Sequence, residues 1–176
     1  MSDLVGNKTP ISNFTRWLND WHDVVILGHK KRVEHKGSKN PPNLNARACL
    51  ISGSPGIGKS SAVNIVAKEA GYHVFTLNAS DTRSKLKIEA MLGEMTKSNS
   101  IAAMIKNSPN KKLWSLEGKT MILMDEVDGV SSSDRGGLPA LVKIIKLTKM
   151  PIVCIANDSG NRKIQTLKNN SYDLRF

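Results

Sequence analysis

Aromatic residues are scarce, at 5% of the 176 residues. A surface on which nucleobases stack needs several of them together, so that mode of nucleic-acid binding is not expected. Cysteine is almost absent too. The two that occur, Cys49 and Cys154, lie far apart, lack metal-ligand spacing and fall in apolar segments that read as strands. They are read as core residues, with a disulfide between neighbouring strands as the alternative. The four histidines (His22, His29, His35, His73) form no ligand motif. No apolar run approaches the length of a membrane span. The opening Met-Ser-Asp-Leu-Val-Gly has no signal-peptide character. A soluble intracellular protein is expected, with no membrane partner, nuclear if the source is a eukaryote.

Acidic residues are the minority charge: 15 Asp and Glu stand against 26 Lys and Arg, a net +11. The excess points to a polyanionic partner, nucleic acid first, contacted through phosphates rather than bases. A lysine-rich composition that serves solubility alone is the alternative. The length suits one domain with a real core, and an apolar content of 39% is modest but globular.

What is present most plainly is Gly53-Ser-Pro-Gly-Ile-Gly-Lys59-Ser60. It fits G-x-x-x-x-G-K-[ST], a phosphate-cradling loop. The apolar run Ala48–Ile51 before it reads as a strand, and Ser61–Ala70 after it reads as a helix stopped by Gly71. Glycines let the backbone approach an anion, and N–H groups at a helix start face it. Ser54, Pro55, Gly56, Ile57, Gly58, Lys59, Ser60 and Ser61 are therefore the candidate nucleotide cradle. Lys59 reaches the β and γ phosphates, and the Ser60 hydroxyl ligates Mg²⁺.

Downstream, Thr120–Met124 is a buried-strand pattern that ends in Asp125-Glu126. A carboxylate at the carboxyl end of such a strand stands where the nucleotide's metal belongs, so Asp125 is a candidate Mg²⁺ ligand. Glu126 is a candidate base that polarises water for in-line attack, which favours a hydrolase over a small-molecule kinase. A third apolar strand, Pro151–Ala156, ends in Asn157. An amide there orients the attacking water or senses the phosphate; the alternative is a turn-forming Asn before Asp158 and Gly160. Arg83 and Lys85, and separately Arg135, lie near predicted helix starts, which suits contact with nucleic-acid phosphates; ordinary capping with solvated bases is the alternative.

The chain organises as an N-terminal helix and basic loop over residues 1–47 that lead into a core over 48–176. Trp17, Leu18, Trp21, Val24 and Val25 recur at helical spacing within 11–27, and the tryptophans are read as packing residues. The basic loop spans 28–47. Strands follow at 48–52, 73–77, 120–124, 151–156 and 172–176, with helices at 60–70, about 83–95, 137–147 and 161–168. Such alternation predicts an α/β fold with a parallel sheet and helices on both faces.

Together these words resemble the AAA+ P-loop NTPase core of clamp-loader ATPases, nearest to replication factor C large subunits. The resemblance runs from about Asp3 to Phe176. It rests on Leu50–Ser60, Leu77-Asn-Ala-Ser-Asp-Thr-Arg-Ser-Lys85, Ile122-Leu-Met-Asp-Glu-Val-Asp-Gly129, Asp134-Arg-Gly-Gly137, Pro151–Asp158 and Asp173-Leu-Arg-Phe176. It implies a five-stranded sheet in the order 5-1-4-3-2, and it makes Lys59 and Ser60 the Walker A pair, Asp125 and Glu126 the Walker B pair and Asn157 sensor 1. It implies ATP-driven loading of a sliding clamp onto primer–template DNA together with four smaller subunits. Arg83 and Arg135 would track DNA, and the segment near Ile101, Met104 and Ile105 would contact the clamp, although it lacks the expected aromatic anchors. Val5 and Gly6 are what remains of the adenine-cupping segment. Small subunits carry Ser-Arg-Cys where this chain has Asn169-Asn170-Ser171. It would therefore receive a catalytic arginine from a neighbour and not donate one from that position. The lid and collar of the family are absent from the sequence, so an excised fragment is expected, weak in ATP binding and turnover alone. Two alternatives remain: the large subunit of a specialised checkpoint or cohesion clamp loader, and a non-hydrolysing scaffold shaped by ATP.

Overall fold

The computed structural model describes residues 7–32, 42–78, 119–131, 137–158, 160 and 162–176. The first helix, α1 (Lys8–Val25), buries Ile11, Phe14, Trp17, Leu18, Trp21 and Val24, one stripe at helical spacing. It starts three residues earlier than the pattern predicts. Pro10 lies inside its first turn, where a missing N–H leaves no hydrogen bond unmade. Both tryptophans are buried, and their indole N–H groups donate to the carbonyls of Ala46 (3.1 Å, from Trp17) and Arg47 (2.9 Å, from Trp21). Each thus buries a large ring while its one polar group is satisfied. The pair pins α1 to the segment that enters the sheet.

Beyond that segment run β1 (Ala48–Ser52), α2 (Lys59–Glu69), β2 (Tyr72–Asn78), β3 (Lys119–Asp125) and a 3-10 turn (Val127–Ser131). Then come α3 (Gly137–Leu147), β4 (Ile152–Ala156), α4 (Arg162–Asn169) and β5 (Tyr172–Arg175). The five strands are all parallel, in the order β2-β3-β4-β1-β5. Read from the other edge, this is the predicted 5-1-4-3-2. The predicted helix at 83–95 lies outside the described residues.

Alternate side chains of the central strands feed two cores. Ala48, Leu50, Ile122, Met124, Ile152 and Cys154 face α3 and α4. Cys49, Ile51, Met121, Leu123, Val153 and Ile155 face α1 and α2. β1 and β4 are buried at every position, as expected of parallel strands covered on both sides. Helices therefore cover both faces of the sheet.

This alternation answers the cysteine question. Cys49 pairs in register with Val153, and Cys154 with Leu50, so the two thiols lie one residue out of register and on opposite faces. Both are free. Burial pushes the Cys154 thiol up to about 12. Burial raises that of Cys49 too, aided by Cys154 and Asp173. The thiolate is the reactive form, so both cysteines are expected to resist a thiol-exchange reagent at pH 8 in the folded protein and to react only in denaturant. Fast reaction of the native protein would mean that β1 or β4 opens on its own.

Candidate active site

The carboxyl ends of β1, β3 and β4 meet at one edge of the sheet. In open α/β sheets ligands bind in the crevice beyond these ends. β1 leaves this edge through the loop 53–58 and re-enters as α2. The loop is stitched at its base: the Gly53 N–H donates to the Ala156 carbonyl (3.3 Å), and the Phe176 N–H donates to that of Ser52 (2.9 Å). A Cβ at Gly53 would stand 2.9 Å from the Phe176 carbonyl oxygen, too close for any side chain there.

Lys59 opens α2 and is 6% exposed. Its ammonium donates to the carbonyls of Gly53 and Ser54 (2.8 Å each) and to Asn157 Oδ1 (3.0 Å). An ammonium has three protons, so all are engaged. The three partners are uncharged, so a buried positive charge is solvated by dipoles alone. An anion placed beside it would meet an already oriented cation.

Next to it, Ser60 Oγ donates to Asp125 Oδ2 (2.6 Å), and the Glu126 N–H donates to Asp125 Oδ1 (2.9 Å). One carboxylate thus joins the helix start to the end of β3. Glu126 is exposed and has φ 54°, in the left-handed region. The Gly129 N–H closes the turn on the Glu126 carbonyl (2.9 Å), and buried Val127 anchors it in the core. Asn157 follows β4, and its own N–H donates to Asp128 Oδ2 (3.2 Å).

These groups border a cleft of about 360 Å³, lined among others by Pro55, Gly58, Ser61, Asp125, Glu126 and Asn157. That volume lies in the range of small-ligand sites. Gly56 and Gly58 have φ of 78° and 83°, and a Cβ on either would project into open space. The backbone there leaves free the room that phosphate oxygens need, at the amino end of an eleven-residue helix. Ser60 and Asp125 present two oxygens 2.6 Å apart, the hard donors that Mg²⁺ takes. The residues fit a Mg²⁺–nucleotide.

Of the sequence-predicted residues, Pro55, Gly56, Gly58, Lys59, Ser60, Ser61, Asp125, Glu126 and Asn157 come together in this cleft. Ser54 reaches it only through its carbonyl, on Lys59. Ile57 is 39% exposed and folds back over Gly53. Val5, Gly6, Arg83, Lys85, Arg135 and the segment near Ile101, Met104 and Ile105 lie outside the described residues. Asp128, to which the sequence alone assigns no role, also joins the site through the Asn157 N–H; its signal is an acid two residues after Glu126 in the word Ile122–Gly129. No described helix is long and apolar enough to cross a membrane.

Residues 49–169 match the family described as AAA, "ATPase family associated with various cellular activities". The chain is 40% identical over 177 residues to replication factor C subunit 1 of Schizosaccharomyces pombe, a match that spans 100% of the chain and 18% of that protein. It is 36% identical over 173 residues to replication factor C subunit 1 of Homo sapiens, spanning 97% of the chain and 15% of that protein. It is 39% identical over 152 residues to the replication factor C large subunit of Nanoarchaeum equitans, spanning 86% of the chain and 30% of that protein. The chain thus spans less than a third of each of these relatives. Among solved structures it resembles Rhizobiales Trip13 (TM-score 0.58, 15% identity, 99% of this chain and 63% of that one). It also resembles C. elegans PCH-2 (TM-score 0.59, 15% identity, 98% and 43%). Identities this low speak to the fold alone.

Proposed function

The chain belongs to the AAA ATPase family, and on that premise we propose that it is the ATP-binding and hydrolysing core of a clamp-loader large subunit. The observation that carries this reading is the hydrogen-bonded chain Asp125–Ser60 and Lys59–Asn157, in a sequence similar along its whole length to replication factor C large subunits. In this reading the N–H groups at the start of α2 receive the phosphates, and Lys59 holds the β and γ oxygens. Ser60 and Asp125 would hold Mg²⁺, which when bound would supply charge neutralisation for the phosphoryl group. Glu126 takes a proton from the attacking water, and Asn157 orients that water.

Arg83, Lys85 and Arg135 contact DNA phosphates, and the segment near Ile101, Met104 and Ile105 contacts the clamp. Val5 and Gly6 border the adenine. Four smaller subunits complete the assembly, whose ATPase is stimulated by primer–template DNA in the nucleus. A neighbour supplies the catalytic arginine, so residues 1–176 alone turn ATP over slowly.

The test is mass spectrometry of what co-purifies with the full-length protein. Four smaller AAA subunits and the replicative sliding clamp are expected. The same small subunits with a different clamp or with cohesion factors would shift the reading to a specialised loader. No AAA partner at all would overturn it.

A further inference from the structure

The β3–β4 ladder stops early. Its paired residues are Ile122 with Ile152, Leu123 with Val153 and Met124 with Cys154. Past that point Ile155 and Ala156 pair only with β1. Asn157, the next residue, carries the amide oxygen that meets the Lys59 ammonium at 3.0 Å. The Asn157 main-chain N–H does not join the sheet. It donates instead to Asp128 Oδ2, across 29 positions of sequence and at a normal hydrogen-bond distance of 3.2 Å. Asp128 is half-buried in the 3-10 turn, two residues after Glu126, and the turn is anchored by Val127.

We infer that Asp128 is a positioning residue that holds Asn157 in register with the phosphate-binding lysine, through a side-chain bond that replaces the missing ladder. The inference rests on the ATPase reading above. It follows from what Asn157 has to do. Its backbone is the first beyond the strand: the Gly53 N–H holds the Ala156 carbonyl on the β1 side of its peptide, and on the β3 side only the Asp128 carboxylate holds its N–H. A displacement of about 1 Å at such a residue can lower the rate on the order of a hundredfold without touching the reacting atoms. A carboxylate oxygen is a strong acceptor for a main-chain N–H, and the anchored turn keeps it in place. Asp128 therefore acts on turnover through Asn157 and makes little contribution to holding ATP, which falls to the loop and Lys59.

The test uses the full-length protein in its assembly, with the Lys59→Ala assembly as the baseline for hydrolysis by other subunits. Asp128→Ala is expected to lower kcat above that baseline about tenfold, the scale of a lost supporting hydrogen bond, with the ATP Kd within about twofold. Asp128→Asn keeps an acceptor oxygen and should recover most of the rate. In an Asn157→Ala background, Asp128→Ala should add less than about a twofold further loss, because the two act as one unit. Amide exchange over residues 153–158 should rise in Asp128→Ala and not in Asp128→Asn. If the alanine variant does not assemble, Asp128→Glu, which displaces the carboxylate by one methylene, should give the same split between kcat and Kd.

Wild-type kcat in Asp128→Ala, or a full tenfold loss on top of Asn157→Ala, would overturn the inference. So would a weakened ATP Kd in both the alanine and glutamate variants. A different result sinks the ATPase reading itself: unchanged hydrolysis in the Lys59→Ala assembly, which would make this subunit's site dispensable.

Discussion

Glu126→Gln should leave ATP bound at this site and stop its turnover. Removal of a positioned general base lowers hydrolysis about 10²- to 10⁴-fold. The amide is isosteric with the carboxylate, and the cradle that holds the phosphates comes from other residues: the loop 53–58, Lys59 and the start of α2. ATP affinity should therefore stay within a few-fold of wild type. The backbone is the one risk. Glu126 has φ 54°, and a non-glycine residue in that region carries roughly 1–3 kcal/mol of strain. Gln meets that strain equally, so the turn closed by Gly129 should persist. Single-turnover hydrolysis of radiolabelled ATP by the full assembly gives the rate, and a desalting spin column shows whether ATP is retained. Hydrolysis at the wild-type rate would mean that the base lies elsewhere. It would also revive the scaffold reading, which has no need of a base.

Lys59→Ala acts one step earlier, on binding. Each charge-assisted hydrogen bond from the ammonium to a phosphate is worth about 1.5–3 kcal/mol. Loss of contact with both the β and γ phosphates should weaken ATP binding by on the order of a hundredfold or more. The empty protein suffers too. The alanine leaves the Gly53 and Ser54 carbonyls and Asn157 Oδ1 without their shared donor. An acceptor stranded in this way costs about 1–3 kcal/mol when water cannot replace the lost partner. A lower melting temperature without nucleotide is therefore expected, and ATP should no longer raise it. Lys59→Arg is not a rescue: a rigid planar fork cannot address three oxygens arranged around a single point. Titration with a fluorescent ATP analogue measures the binding, and thermal melts measure the stability. Near-wild-type affinity in Lys59→Ala would contradict the assignment of the cradle.

Much of this site is legible from residues because a phosphate loop is local. Its glycines, lysine and serine sit within eight consecutive positions, and the chemistry dictates their spacing. Asp125 is legible from where an apolar strand ends. The alternation of strands and helices shows in short apolar runs broken by Gly and Pro, and its bounds agree with the structure to within three residues. The start of α1 differs most, because Pro10 reads as a boundary although a first turn tolerates it. Register is a different matter. Nothing in the periodicity of Cys49 or Cys154 says which face each takes relative to the other; that depends on how β1 aligns with β4. The strand order came from resemblance rather than from pattern. The turn at Val127–Ser131 is too short for any period to show, and the Asp128–Asn157 bond joins residues that only the fold brings together.

The place of β1 between β4 and β5 bears on how this chain is made. β1 carries the phosphate loop and precedes the other four strands of the sheet in sequence, yet its two neighbours, β4 and β5, are the last two of the five. Its final hydrogen bond, from the Phe176 N–H to the Ser52 carbonyl, waits for residue 176. At about 5–20 residues per second, the roughly 120 intervening residues take on the order of ten seconds to emerge. During that interval β1 is an apolar strand with two bare edges, the kind of segment that pairs with the wrong chain. Nucleotide cannot guard it then, because the floor of the cradle is unfinished. Helix α1, fastened by its tryptophans just ahead of the strand, is made before it and is the cover within reach while the rest of the sheet is still to come.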